Sequence, residues 1–382
     1  IDKLGVVIAA LLAYGAFLAP FANFRANRIV PGEPRAILDA LPAGLGAALL
    51  VFITLSIVLI VLKTPTLLRL LLGLAAILVL AILIGLSAGH LTPPENTYAR
   101  VSPASGFWLC GFAFALLTAD ALARLKLSPF ARVGLLVAVA VVAAALLMSG
   151  AWDGLSILKE YGSRAETFWL EAGRHVVLAL GSLVAATLVG LPLGILCHRV
   201  EGLRAGVLNV LNIIQTIPSI ALFGLLIAPL GWIALNVPGA AALGIRGIGA
   251  APAFVALFLY SLLPVVANTV VGLAGVPRDA NDAARGIGMT DRQRLFDVEL
   301  PLAFPVILTG IRIVLVQNIG LATIAALIGG GGFGVFVFQG IGQTAMDLVL
   351  LGAVPTVALA FAAAIVLDAA TDLSQSKPGR AA

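Results

Sequence analysis

About ten stretches of this chain run for close to twenty residues with scarcely a charge among them, and that pattern restricts the fold more than any motif does. They fall near Leu4 to Phe21, Gly44 to Leu62, Leu67 to Leu86, Ser105 to Ala123, Ala131 to Gly150, Arg174 to Cys197, Ala205 to Gly231, Ala251 to Val276, Leu302 to Ile328 and Ala345 to Ala370. A hydrocarbon layer about 30 Å thick is crossed by roughly 20 apolar residues of helix. Backbone polar groups that meet no water there must pair inside helices or a closed barrel. These runs lack the period-two alternation of barrel strands, so the sequence predicts an all-α integral membrane protein of about ten transmembrane helices. Hydrophobic residues make up 61% and charged residues 11% of the 382, where a soluble domain carries roughly 25% charged. A water-soluble enzyme and a nucleic-acid-binding module are both excluded by that balance.

The stretch from Ser149 to Arg174 changes character, with Trp152, Asp153, Lys159, Glu160, Arg164, Glu166 and Glu171 close together. We read residues 1–150 as an accessory membrane domain of about five helices, 151–173 as an outer connector carrying an amphipathic helix, 174–373 as a second membrane domain of about five helices, and 374–382 as a tail. Leu4 to Phe21 reads as a retained helix, since no small-residue cleavage site precedes Asn23. Cys110 and Cys197 are expected at opposite membrane faces, and neither they nor His90, His175 and His198 have metal-ligand spacing. The histidines are expected at the membrane interfaces. The first five runs are nearly featureless, whereas the last five carry prolines, glycines and polar side chains. Function is therefore expected mainly after Glu160.

Between two long apolar runs stands Asp282-Ala283-Ala284, then three residues, Gly288, nine residues, and Val298-Glu299-Leu300-Pro301. This resembles the coupling loop of ABC-importer permeases, whose pattern is E-A-A, three residues, G, nine residues, I, one residue, L-P. Asp282 stands in place of the glutamate and Val298 in place of the isoleucine. QTIPSIALFGLL (Gln215 to Leu226), GIGMTDRQRLFDVELPLAFPVILTGIR (Gly286 to Arg312) and IGLATIAALIGGGGFG (Ile319 to Gly334) look like the osmoprotectant branch of the type I importers. The resemblance covers about half the chain, from Arg174 to Leu373, and is similar to a long form with added N-terminal helices. It implies a type I permease core in the second half, with glycine betaine, choline or a related compatible solute as cargo. It also implies an ABC ATPase dimer that binds ATP and Mg, so that this chain holds no cofactor and does no catalysis. A second permease half, either a shorter homologous chain or a copy of this one, and a periplasmic or tethered solute-binding protein complete the assembly. The location would be the bacterial inner membrane. An importer of an amino acid or an anion is the alternative. From a different class, a secondary transporter would need no ATPase.

The resemblance assigns ATPase coupling to Asp282, Ala283, Ala284, Gly288, Arg292, Leu300 and Pro301. Ala283 and Ala284 permit close docking, Gly288 permits a break between two short helices, and Pro301 suits the first turn of the next helix. Arg285, Arg292 and Arg294 are expected to meet acids of the ATPase. A cytoplasmic coupling loop also puts Arg199, Arg204, Arg124, Lys126, Arg132, Lys63 and Arg69 inside, as the positive-inside rule expects, with both termini cytoplasmic. Trp108, Trp152, Trp169 and Trp232 then lie near outer ends as interfacial anchors. Against this orientation, the loop with Arg25, Arg28 and Arg35 falls outside.

Polar side chains within spans usually turn inward. Asn209, Asn212, Gln215 and Ser219 recur every three to four residues on one side of a helix and are candidates to line the translocation path, as are Asn268, Gln317, Asn318 and Arg312. Interhelical hydrogen bonding is the competing reading of the same residues, and Arg312 has a structural alternative in pairing with an acid or with carbonyls. Asp120 and Arg124 have the spacing of a helical ion pair. The run Gly329 to Gly332 lacks a following Gly-Lys-Ser/Thr, so it reads as a tight turn of close backbone packing and not as a nucleotide loop.

Overall fold

The computed structural model describes residues 2–28 and 30–375; most of the expected tail lies outside them. The chain divides into two compact units, Ile1–Ser163 and Arg164–Ala382. Among the described residues nine helices are long and apolar enough to cross a membrane, four in the first unit and five in the second.

In the first unit α1 (Lys3–Phe17) precedes α3 (Ala43–Val61), α4 (Thr66–Leu91), α5 (Ser105–Leu125) and α6 (Pro129–Met148), with two short helices, α2 (Ile37–Ala40) and α7 (Ser156–Ser163). The first expected span is shorter than its apolar run. At 15 residues and 1.5 Å per residue, α1 falls short of a bilayer, because Pro20 bars helix from the residue before it and the chain turns into strand. Asp2 caps α1 by accepting from the Leu4 and Gly5 amides. Leu12, Ile53, Leu80, Phe114 and Leu117 fill the core between α1, α3, α4 and α5. No residue of α6 is buried.

An antiparallel sheet in order β2-β1-β3, built from β1 (Ala22–Arg25), β2 (Glu33–Arg35) and β3 (Arg100–Pro103), was not anticipated. Its segments lie in polar loops too short for any period to register. The arginine-rich loop thus folds as strands beside the helix ends. At the opposite ends of these helices Arg69 is buried. It pairs with Asp2 and donates to Thr64 Oγ1 at 3.1 Å and to the carbonyls of Ile60 and Leu62 at 3.2 and 2.9 Å. The expected Asp120–Arg124 pair forms beside it at 2.9 Å.

The second unit is built on four helices. α12 (Ala250–Ala274) packs on α8 (Ala165–Arg199) and on α15 (Leu300–Ala322), and α15 packs on α17 (Met346–Gln375). α8 begins nine residues before the expected span at Arg174, so the second part of the anticipated connector is continuous helix. The expected span from Ala205 to Gly231 is broken into α9 (Glu201–Thr216), α10 (Ser219–Leu225) and α11 (Ile227–Asn236). Pro218 causes the first break, since it lacks an N–H and forces Ile217 to extended geometry. Of the four tryptophans, Trp108, Trp169 and Trp232 are exposed, whereas Trp152 is half-buried and donates to the Ala81 carbonyl at 2.7 Å.

Candidate coupling loop and membrane core

The coupling sequence folds as two short helices, α13 (Arg278–Gly286) and α14 (Asp291–Arg294). The break falls at Gly288, whose φ of 86° is a backbone state that L side chains resist. A Cβ there would meet nothing within 4 Å. Thr290 starts α14 with a reciprocal capping box to Gln293. Asp282, Ala283, Arg285 and Arg292 are exposed, while Ala284 is turned inward and buried.

One expectation about this loop is corrected and another is refined. Arg294 is buried and occupied: its Nε lies 3.1 Å from Glu299 Oε1 and its Nη2 2.8 Å from Asp291 Oδ1, so it does not face outward to meet a partner. Pro301 stands in the first turn of α15 as expected, but α15 does not start afresh there. Asp291 to Ala322 runs as one helical segment, with Leu295–Glu299 as a π-turn in which the Leu300 amide reaches back to the Leu295 carbonyl. The missing N–H and bulky ring of Pro301 are incompatible with an ordinary ladder here, and the π-turn absorbs the mismatch.

Glu299, missed in the sequence reading, is the anchor of the loop. It is buried, and its second oxygen accepts from Arg199 Nη2 at 2.5 Å, at the end of α8. One carboxylate therefore joins the coupling loop to the end of α8 through two charge-assisted hydrogen bonds. An acid between Val298 and Leu300 at the mouth of a span was the available signal.

The candidate path residues separate into distinct groups. Asn318 is fully buried and donates through Nδ2 to Ser182 Oγ and Ser261 Oγ, each at 2.9 Å. This ties α15 to α8 and α12, the interhelical alternative, and removes Asn318 from any path surface. The two serines were missed; single hydroxyls inside apolar runs were their signal. Asn268 donates to the Pro264 carbonyl of its own helix at 2.8 Å, and Thr269 is buried. Arg312 pairs with Asp368 of α17, which neutralises both within the span.

Asn209 and Asn212 are exposed on α9, and Gln215 is half-buried, donating to the Tyr260 carbonyl at 2.8 Å. Ser219 lies on α10 beyond the Pro218 break, so the polar stripe does not continue along one helix. Gln317 is half-buried, one position from the Asn318 node.

At the other end of α8, the glycine run forms a tight turn with positive φ at Gly329, Gly331 and Gly332. The buried Glu171 accepts from the Gly332 amide at 2.6 Å and from Arg174 Nη1 at 2.6 Å. A Cβ on Gly331 would stand 2.6 Å from that carboxylate. His175 is buried, accepting from the Phe333 amide at 3.3 Å and packing on its ring. Phe168 completes this patch against Phe333 and Phe336.

Residues 190–378 match the family model described as binding-protein-dependent transport system inner membrane component. Residues 2–158 match the N-terminal domain of the ABC transporter permease YehY. The chain is similar to the osmoprotectant import permease protein OsmW of Salmonella typhimurium, with 45% identity over 51% of this chain and 84% of that protein. It is also similar to the choline transport system permease protein OpuBB of Bacillus subtilis, with 38% identity over 53% of this chain and 84% of that protein. Among solved structures, a chain of the MetNI methionine ABC transporter in an inward-facing conformation superposes with a TM-score of 0.47 and 22% identity, over 56% of this chain and 98% of that chain.

Proposed function

The chain belongs to the family of binding-protein-dependent transport system inner membrane components, and from that premise we propose that it is the permease subunit of an ATP-driven importer of osmoprotectants, with glycine betaine, choline or a related compatible solute as cargo. The names of the relatives support the solute class. The observation that carries the coupling role is the Gly288 break between α13 and α14, anchored by Glu299 to Arg199 of α8.

In this reading a partner ATPase dimer binds ATP and Mg, closes, and pushes on the exposed Asp282, Ala283 and Arg292. The push enters the continuous segment through the π-turn, Leu300 and Pro301, then reaches α8 directly through Glu299 and, deeper, through the Asn318 node. A second permease half, a shorter chain or a second copy, completes the gated passage, and a solute-binding protein delivers cargo at the opposite face. Asn209, Asn212, Gln215, Ser219, Gln317 and Asn268 remain the proposed path residues. The coupling loop lies on the cytoplasmic side of the inner membrane, supported by the arginines and lysines at that end of the spans.

The test is uptake of radiolabelled glycine betaine, choline and carnitine by the complex with its ATPase in proteoliposomes. ATP-dependent uptake of at least one of them is expected; uptake of an amino acid or an anion instead would overturn the solute class. Because Ala283 is exposed on α13 and has no such backbone restriction, Ala283→Trp should leave the fold standing and block docking, so that ATP hydrolysis continues without uptake. Normal uptake by that variant would remove the coupling assignment.

A further inference from the structure

The arginines that violate the positive-inside pattern have a local explanation in the first unit. Beside β3 and α7, a cavity of about 270 Å³ is lined by Asn27, Arg28, Thr97, Tyr98, Arg100 and Lys159. A bridge between Val101 and Leu155 holds the chain entering α7 against β3. Glu160, buried, stands 3.6 Å from both Arg28 Nε and Arg100 Nη1. Those contacts are attractive but too long for good hydrogen bonds. Two cations therefore flank one carboxylate, and a third, Lys159, lines the same cavity.

Two observations show that this charge is incompletely answered by the protein. Arg100 Nη1 is buried and makes no hydrogen bond among the described residues, although a buried guanidinium donor ordinarily has a partner. Lys159 donates to the Ala99 carbonyl at 2.8 Å, and an ammonium has two further donors to give. Burial, and then the charge of Arg100, holds the Lys159 amine below its ordinary range. An acceptor placed between these groups would satisfy the donors and separate the like charges. The cavity is smaller than the roughly 300 to 1,000 Å³ of drug-sized sites, which suits a group of a few heavy atoms.

We propose that this cavity binds a small oxyanion, a carboxylate or phosphate group, held by Arg100, Lys159 and Arg28 with Asn27 and Thr97 at its edge. The site is independent of the transport reading, since it lies wholly in the first unit. Its source is either a soluble anion or the headgroup of an anionic lipid.

The full chain in phosphatidylcholine nanodiscs would be titrated with inorganic phosphate and with acetate, against sodium chloride at equal ionic strength, following the thermal midpoint. In a second arm, phosphatidylglycerol replaces the lipid and no soluble oxyanion is added. A saturable rise with phosphate or acetate assigns a soluble anion; a rise only with phosphatidylglycerol assigns a headgroup. Lys159→Gln leaves both Glu160 pairs in place and should weaken the response about tenfold, as should Arg100→Gln. Lys63→Gln, at the opposite helix ends, should leave it unchanged. The proposal falls if chloride reproduces the response, if neither arm responds, or if a folded Lys159→Gln chain responds as the wild type does.

Discussion

The two units place their polar side chains differently. In the first, ion pairs sit at the helix ends, around Arg69 at one and Glu160 at the other, and the buried hydroxyls of Ser56, Ser87 and Thr118 satisfy only carbonyls of their own helices. In the second, Ser182, Ser261 and Asn318 bind three helices together in mid-core, prolines sit inside the continuous helices α8, α12, α15 and α17, and α9 to α11 are broken where one span was expected. A bundle clamped at its ends around an apolar middle offers a solute no polar route. A bundle with a broken span, prolines inside its helices and a hydrogen-bonded core offers places to bend and ties that hold it while it does.

The contrast is tested most severely by cutting one clamp in each unit. Glu299→Ala leaves Arg294 buried without its main partner and should cost about 3 kcal/mol, the lower end for a broken buried pair because Arg199 remains partly exposed. ATP-driven uptake should be lost with it. Arg69→Ala should destabilise the first unit by a similar amount, read as a lowered thermal midpoint, yet leave uptake per folded complex unchanged. If Arg69→Ala abolished uptake in a folded chain, the division of labour between the units would be wrong.

A smaller effect separates glue from lining. Asn318→Leu removes the mid-core node and should cost about 1 kcal/mol, within the range for interhelical hydrogen bonds in membranes. Solute KM should not move. Asn212→Leu, on an exposed face, should do the reverse, with little change in stability and a raised KM. Matching KM shifts in both variants would return Asn318 to the path.

The smallest effect is confined to acid. The hydrogen bond from Arg69, chiefly, holds the Asp2 carboxyl below its usual range against the opposing effect of burial. A depressed folded-state pKa contributes stability that is fully present above the unfolded value, about 3.9, and is lost as pH falls through the lower folded value. The thermal midpoint of the first unit should therefore decline below about pH 4, and Asp2→Asn should flatten that decline. Uptake at neutral pH should differ little from wild type.

Much of this was legible in the letters. The length and apolarity of the runs specify helices in lipid, and the spacing from Asp282 to Pro301 singled out the segment that folds as α13 and α14. What escaped were features decided by geometry at a single residue. Nothing in the apolar count distinguishes Pro218, which ends α9, from Pro264, which α12 tolerates in its interior. Glu299 and Arg199 lie far apart in sequence, and neither names its partner. The sheet of the first unit comes from segments of three and four residues, below the length at which alternation is visible.

α8 is gripped near both ends, by Glu171 on the Gly332 amide and by Arg199 on Glu299. A helix turns about 100° per residue. Inserting or deleting one residue between those grips would therefore swing one of them away from its partner, however conservative the added letter. Substitutions along the exposed side of α8 are cheap, but its count of residues is not free to change. Among related chains the spacing between those two positions should hold constant while the apolar letters between them drift.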